Sequence, residues 1–139
     1  LFGLREVLEG LAARRAAENI TDKEIEHLKG FFRQFNGTQR IADIKAYAKE
    51  DRLFHTFLTK VGAKEFLKSI LETYNIISYS YQWDSAEGLI QPPDETLYDH
   101  RAVIDAISRR DAESAENYMR RHLGKSVAIL KKKLEAEGE

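Results

Sequence analysis

Residues 38–62 read TQRIADIKAYAKEDRLFHTFLTKVG, and this stretch decides the fold class. Apolar residues recur in it every three or four positions, Thr38 stands at its start as a helix cap, and Gly62 ends it. That pattern predicts one long amphipathic helix. The line that turns toward the core consists of Ile44, Ala48, Asp51, His55 and Leu58. A carboxylate and an imidazole one turn apart are therefore expected to face the protein interior.

Two further helices are predicted before this stretch. The first covers about 2–19, and its expected buried face consists of Leu4, Val7, Leu8, Leu11 and Ala12. The second begins at a capping box formed by Thr21 and Glu24, and it runs to a stop at Asn36 and Gly37.

Three more helices are predicted after it. An aromatic-rich helix is expected from residue 64 to about 83, followed by a loop over 84–93 that contains two adjacent prolines. Asp94 and Asp111 are expected to cap the last two helices. Since no strand pattern with period two is present, the sequence predicts an all-α fold, an antiparallel bundle of six helices.

Composition and charge narrow the functional classes. A chain of 139 residues is expected to form a single domain over 1–139. Its formal net charge of -1 disfavours DNA binding by this chain alone, and the absence of cysteine excludes disulfides, thiol nucleophiles and cysteine zinc sites. No apolar run is long enough to span a membrane, so we expect a soluble cytoplasmic protein. The first residue is Leu1 rather than Met, and we expect further sequence upstream of it.

Two more histidines lie on predicted inner lines. His100 falls between Leu97 and Ile104, and His122 falls between Met119 and Ser126. With the two polar residues of the 38–62 helix they make one carboxylate and three imidazoles, a ligand set for a divalent transition metal. Alternatively, the histidines are separate core residues, and Asp51 pairs with one of them or with an arginine, Arg52 or Arg121.

The chain resembles a known family over essentially its whole length. It is similar to the C-terminal effector-binding domain, the FCD domain, of FadR-type GntR transcription regulators. The matching pieces are Leu4-Arg5-x-x-Leu8-Glu9-x-x-Ala12-Ala13, Ala16-Ala17-Glu18, Asp51-x-x-Phe54-His55, Asp99-His100-x-x-Ile104-x-Ala106-Ile107, Arg110-Asp111-Ala112-x-x-Ala115 and Met119-x-x-His122-Leu123.

The resemblance implies a bundle of six or seven helices with a metal inside it. Many family members hold the metal through one Asp and three His, which correspond here to Asp51, His55, His100 and His122. Zinc is the expected metal, with nickel, manganese or iron as alternatives. Members that bind fatty acyl-CoA lack these histidines, which disfavours that effector class. The chain departs from the family at Ala63, where an asparagine usually follows the glycine.

A metal with four protein ligands that accepts six leaves two positions for an effector. We expect a small carboxylate or hydroxy acid there. Arg5 is a candidate anchor for the effector carboxylate, or it forms a salt bridge with Glu9. Tyr74 and Tyr118 are further candidates for effector binding, although tyrosines at helical spacing are also common in cores.

The resemblance further implies a homodimer and contact with DNA only through a winged-helix domain that precedes this one. No segment of the 139 residues has the pattern of that DNA-binding domain. The aromatic 64–83 helix is the expected subunit contact.

Two rival functions remain open from the sequence. One is a metalloenzyme that acts on small organic acids, which is disfavoured because no inward Glu, Lys or Tyr is placed near the metal as a general base. The other is a purely structural helical bundle in which the metal cross-links the helices.

Overall fold

The computed structural model describes residues 2–35, 41–63, 69 and 91–137. These residues form five α-helices and a short 3-10 helix, and none of them lies in a strand. The all-α prediction is confirmed for the part of the chain described. The elements are α1 (Phe2–Asn19), α2 (Asp22–Gly30), the 3-10 helix Arg33–Phe35, α3 (Ile44–Gly62), α4 (Pro93–Ser108) and α5 (Ala112–Glu137). Apart from residue 69, which is helical, the predicted helix from residue 64 to about 83 lies outside the described residues.

Several predicted helix ends are correct. α1 has the predicted bounds, and the capping box before α2 is present, with Glu24 N donating to Thr21 Oγ1 at 3.1 Å. Asp111 also caps α5, because its side chain accepts from the backbone N–H of Ser114 at 3.1 Å. These ends follow from side chains that satisfy free N–H groups locally.

Three other predicted ends are wrong. The second helix stops at Gly30 rather than at Asn36, because Phe31 is extended and Phe32 adopts a positive φ of 65°. α3 begins at Ile44, six residues after the predicted cap, since Asp43 accepts from Ala46 N at 3.0 Å. α4 begins at Pro93, before Asp94, because proline fits the first helical turn, where its missing N–H has no partner to lose.

The predicted buried face of α1 is correct at Ala12 and wrong at Leu4 and Val7. Leu4 and Val7 are 45% and 46% exposed, whereas Arg5 and Glu9 are buried. The register of the helix is set by the small residues of its second half, which are almost fully buried: Ala12, Ala13, Ala16 and Ala17. Apolar spacing alone could not show that the neighbouring turn puts two charged side chains inside.

The helices pack so that the polar residues on their inner faces meet in the core. α5 lies antiparallel to α1, since Glu116 pairs with Arg14 while Gly124 lies beside Glu6. Fully buried aromatic and aliphatic side chains surround the inner polar residues, and the largest are Tyr47, Phe32, Phe54, Ile20, Leu28 and Leu58. No helix among the described residues combines the length and hydropathy that a membrane crossing needs.

Candidate metal centre

Three histidines from three different helices meet in the core. His55 on α3, His100 on α4 and His122 on α5 are each at most 5% exposed. One ring nitrogen of each lies within 4.8 Å of the others, so the three histidines could hold a metal ion. Asp51, one turn before His55, is buried beside them.

The distances between the donor atoms are short. His100 Nε2 lies 3.1 Å from His122 Nε2, and Asp51 Oδ1 lies 3.1 Å from His55 Nε2 and 3.2 Å from His100 Nε2. Atoms bound to one ion at about 2.1 Å are about 3.0 Å apart at a right angle and about 3.4 Å apart at the tetrahedral angle. The observed spacings fall in that interval.

Two carboxylates fix the orientation of two histidines. His55 Nδ1 lies 2.6 Å from Glu9 Oε1, and His122 Nδ1 lies 3.3 Å from Asp99 Oδ2. An ionised carboxylate only accepts hydrogen bonds, so Nδ1 carries the proton in both rings. The Nε2 atom of each ring is therefore the one left to act as a ligand.

A chain of hydroxyl groups fixes the third histidine. Thr96 donates to the carbonyl of Pro93 at 3.2 Å, Tyr47 Oη lies 2.8 Å from Thr96 Oγ1, and His100 Nδ1 lies 2.9 Å from Tyr47 Oη. Since a carbonyl can only accept, Thr96 accepts from Tyr47, and Tyr47 accepts from His100. His100 thus also carries its proton on Nδ1 and directs an Nε2 lone pair inward.

These tautomers give the cluster the character of a cation site. Three Nε2 lone pairs and one carboxylate oxygen face one another, an arrangement that is repulsive unless a proton or a metal ion lies among them. Asp51 Oδ1 is buried between His55 Nε2 and His100 Nε2, and neither contact has the geometry of a well-formed hydrogen bond. The donor set, with its outer nitrogens already bonded, fits a divalent transition metal.

Burial and neighbouring charges set the pKa values of the acids and of His55. Burial raises the pKa of Glu9, but Arg5 and His55 outweigh it and bring that pKa to about 2. Burial also opposes ionisation of Asp51, yet His55 and His100 hold its pKa well below the usual range. Burial alone would lower the pKa of His55, but the charges and hydrogen bonds of Glu9 and Asp51 outweigh burial and raise this pKa to about 9. Metal uptake at His55 therefore competes with a proton.

The other two histidines have lowered pKa values. Burial brings the pKa of His100 to about 4 and also lowers that of His122, despite the nearby Asp51. Both rings are thus neutral near pH 7, the form in which imidazole binds metals.

Each carboxylate behind a histidine has a cation on its far side. Arg5 forms a buried ion pair with Glu9, one turn along α1. Lys125 Nζ lies 3.0 Å from both oxygens of Asp99. The cations keep these carboxylates ionised and in place, and so act on the histidines indirectly.

Comparison with known proteins identifies the fold family. A family model described as FCD domain matches residues 1–125. The chain belongs to the FCD domain family. This match covers all four clustered residues.

Relatives of this FCD domain are longer proteins. It is 26% identical over 121 residues to a probable D-xylose utilization operon transcriptional repressor of Paenarthrobacter nicotinovorans. It is 27% identical over 131 residues to the HTH-type transcriptional repressor RspR of Escherichia coli, and 29% identical over 130 residues to the HTH-type transcriptional repressor NanR of Citrobacter rodentium. Each alignment covers 86% of this chain but only 52%, 52% and 46% of the relative, so the chain spans about half the length of these relatives.

The three residues predicted to bind an effector differ in burial and in partners. Arg5 makes the salt bridge with Glu9 that was one of its two predicted roles, and its role toward an effector stays a prediction. Tyr118 is half-buried at the edge of the core, with the Arg121 guanidinium 5.2 Å from its ring centre. Tyr74 lies outside the described residues.

The sequence analysis missed the residues that orient the histidines. It placed no inward Glu, Lys or Tyr near the metal as a general base, whereas Glu9 and Tyr47 are buried beside the histidines. Both are engaged in hydrogen bonds to histidine Nδ1 atoms. The spacing of Glu9 from Arg5 was a usable signal, since two opposite charges one turn apart can be buried as a pair.

Proposed function

We propose that this FCD domain is the ligand-sensing part of a transcriptional regulator and that it senses a small carboxylate or hydroxy acid through a bound metal. Asp51, His55, His100 and His122 would hold the ion. The observation that carries the proposal is the convergence of three Nε2 atoms and one carboxylate oxygen with their outer partners already bonded. Zinc suits this donor set best, with nickel, manganese or iron as alternatives.

Four protein ligands leave coordination positions for a small acid on a metal that accepts six. A bound metal would supply a positive charge that attracts a carboxylate into the buried site. The chain's own part is to fix the ligands: α1 supplies Glu9, α3 supplies Tyr47, and α4 supplies Asp99. A shift of the bundle on effector binding would change the placement of the DNA-binding domains.

The regulator as a whole is part of the same proposal. Three relatives bear the names of transcriptional repressors, and the chain spans about half their length. The proposal includes a winged-helix DNA-binding domain in the part of the regulator outside this chain. It also includes a homodimer and a six-helix bundle to which residues 64–83 contribute a helix. Regulation is favoured over catalysis because Glu9, the buried glutamate beside the cluster, is held by Arg5 and His55 and is not free to act as a general base.

Melting curves at fixed metal test the sensing role. The zinc-loaded domain is expected to gain stability when a small organic acid is added, by about 2.7 kcal/mol at 100 times the dissociation constant, or roughly 10 °C. The metal-free domain should gain nothing from the same acid. If the zinc-loaded domain gains nothing with any acid in a broad panel, the site is structural.

Glu9→Gln should weaken metal binding about 10-fold to 100-fold, because the neutral amide holds His55 Nδ1–H less strongly and no longer pairs with Arg5. Titration with zinc against a competing chelator measures this. Glu116→Gln is the matched control, since Glu116 pairs with Arg14 outside the histidine cluster. Equal zinc affinity in both variants would show that Glu9 does not support the metal site.

A further inference from the structure

Gln91 is a buried polar residue two positions before the start of α4 at Pro93. It is 4% exposed. Its side-chain Nε2 donates to the backbone carbonyl of His122 at 2.9 Å and to Ser126 Oγ at 2.7 Å. Gln91 is thus attached to α5 at the metal-site histidine and at the residue one turn beyond it.

These bonds fix which way the amide faces. A backbone carbonyl can only accept, so the atom near His122 O must be the NH2 group of Gln91. Both of its hydrogens are then used. The carbonyl oxygen, Oε1, is buried and has no hydrogen-bond donor among the described residues.

A buried acceptor without a donor is costly, because it has lost its hydrogen bonds to water and gained none in return. An apolar side chain of similar size would fill the same space without that cost. Such a side chain would lose the two hydrogen bonds of Nε2, and a donor that is not part of the described chain would satisfy Oε1 as well.

The position of Gln91 relates it to the candidate effector site. A Cβ on Gly124 would lie 3.7 Å from the Glu6 carboxylate, so the start of α1, which carries Arg5, packs on α5 just beyond His122. Gln91 contacts the same part of α5 through Ser126. Gln91 therefore lies beside the turn of α5 that begins at His122, a histidine of the cluster.

We propose that Gln91 Oε1 accepts a hydrogen bond from a hydroxyl group of the effector and thereby selects hydroxy acids over plain carboxylic acids. The inference rests on the proposed function, since it concerns the acid sensed at the metal. A hydroxyl fits better than an ammonium group because a bound metal would already make this region positive, whereas the charge of Arg5 is balanced by Glu9.

The test compares glycolate with acetate, which differ by one hydroxyl group, by calorimetric titration of the zinc-loaded chain. Wild type should bind glycolate more tightly than acetate. Gln91→Leu should reduce that preference about tenfold while acetate affinity stays the same. Coordination of the glycolate hydroxyl by zinc would favour glycolate in both proteins, so the change in preference between them isolates Gln91.

Gln34→Leu is the matched control, since Gln34 is exposed in the 3-10 helix, and it should keep the wild-type preference. Ser126→Ala removes one of the two anchors of the amide and should lower the preference several-fold; it carries the test if Gln91→Leu does not fold. An unchanged preference in a folded Gln91→Leu, or in Ser126→Ala when Gln91→Leu does not fold, overturns the inference and leaves the proposed function intact. Failure of the zinc-loaded wild type to bind glycolate more tightly than acetate also overturns the inference, whereas the proposed function is overturned only when no acid of the broad panel stabilises the zinc-loaded domain.

Discussion

His100→Ala is expected to lower metal affinity about 100-fold or more and to abolish the gain in stability that metal gives. His100 Nε2 lies 3.2 Å from Asp51 Oδ1 and 3.1 Å from His122 Nε2, so it stands between the other donors. Loss of a ligand removes binding free energy that the folded site supplies. The measurement is the difference in melting temperature with and without zinc, compared between variant and wild type.

That difference is the proper readout because the substitution also leaves a cavity. The His100 ring stacks on Phe32 with 4.7 Å between ring centres, so the metal-free variant melts lower too. His27→Ala is the control: it removes an exposed histidine of α2, whose ring stacks on Phe57. A full zinc-dependent gain in His100→Ala would remove His100 from the ligand set.

Gly62→Ala is expected to destabilise the domain by about 3 kcal/mol. A Cβ on Gly62 would lie 1.8 Å from the carbonyl oxygen of Ala12 and 2.9 Å from Ala16 N, both backbone atoms of α1. The two helices would have to separate, which costs more than alanine gains in helix propensity. The sequence analysis explained Gly62 as a helix stop, and its close contact with α1 is a second reason for glycine there.

Urea unfolding of the metal-free domain measures this effect. Gly30→Ala is the matched control, because Gly30 also ends a helix but nothing lies within 4 Å of its added Cβ. We expect the control to remain within about 0.5 kcal/mol of wild type or to become more stable. Equal unfolding free energies for Gly62→Ala and wild type would mean that α1 and α3 do not pack at this distance.

The sequence predicted the helices well where a local signal exists. Thr21 with Glu24, and Asp111, are such signals, since each cap depends on residues within one turn. The break at Phe32 has no such signal. Its positive φ is held by burial of the ring and by a hydrogen bond from Phe32 N to the side-chain carboxylate of Glu50 on α3. Tertiary contacts decide such positions.

The same distinction applies to the candidate site. Asp51, His55, His100 and His122 could be selected because each is an ionisable residue on an inner line that is otherwise mostly apolar. Their supporting residues could not, since hydrogen bonds between helices join Glu9 to His55 and Tyr47 to His100, and spacing along one helix does not reveal them. In α1 the spacing predicted that Leu4 and Val7 are buried, whereas the buried side chains of that turn are Arg5 and Glu9.

The most direct test of the account is elemental analysis of the purified, tag-free domain by mass spectrometry. We expect about one transition metal ion per chain, retained through gel filtration and lost in His100→Ala. No bound metal after reconstitution with excess zinc, nickel or manganese would contradict the account. The three histidines would then be core residues, held by Glu9, Tyr47 and Asp99 for stability alone.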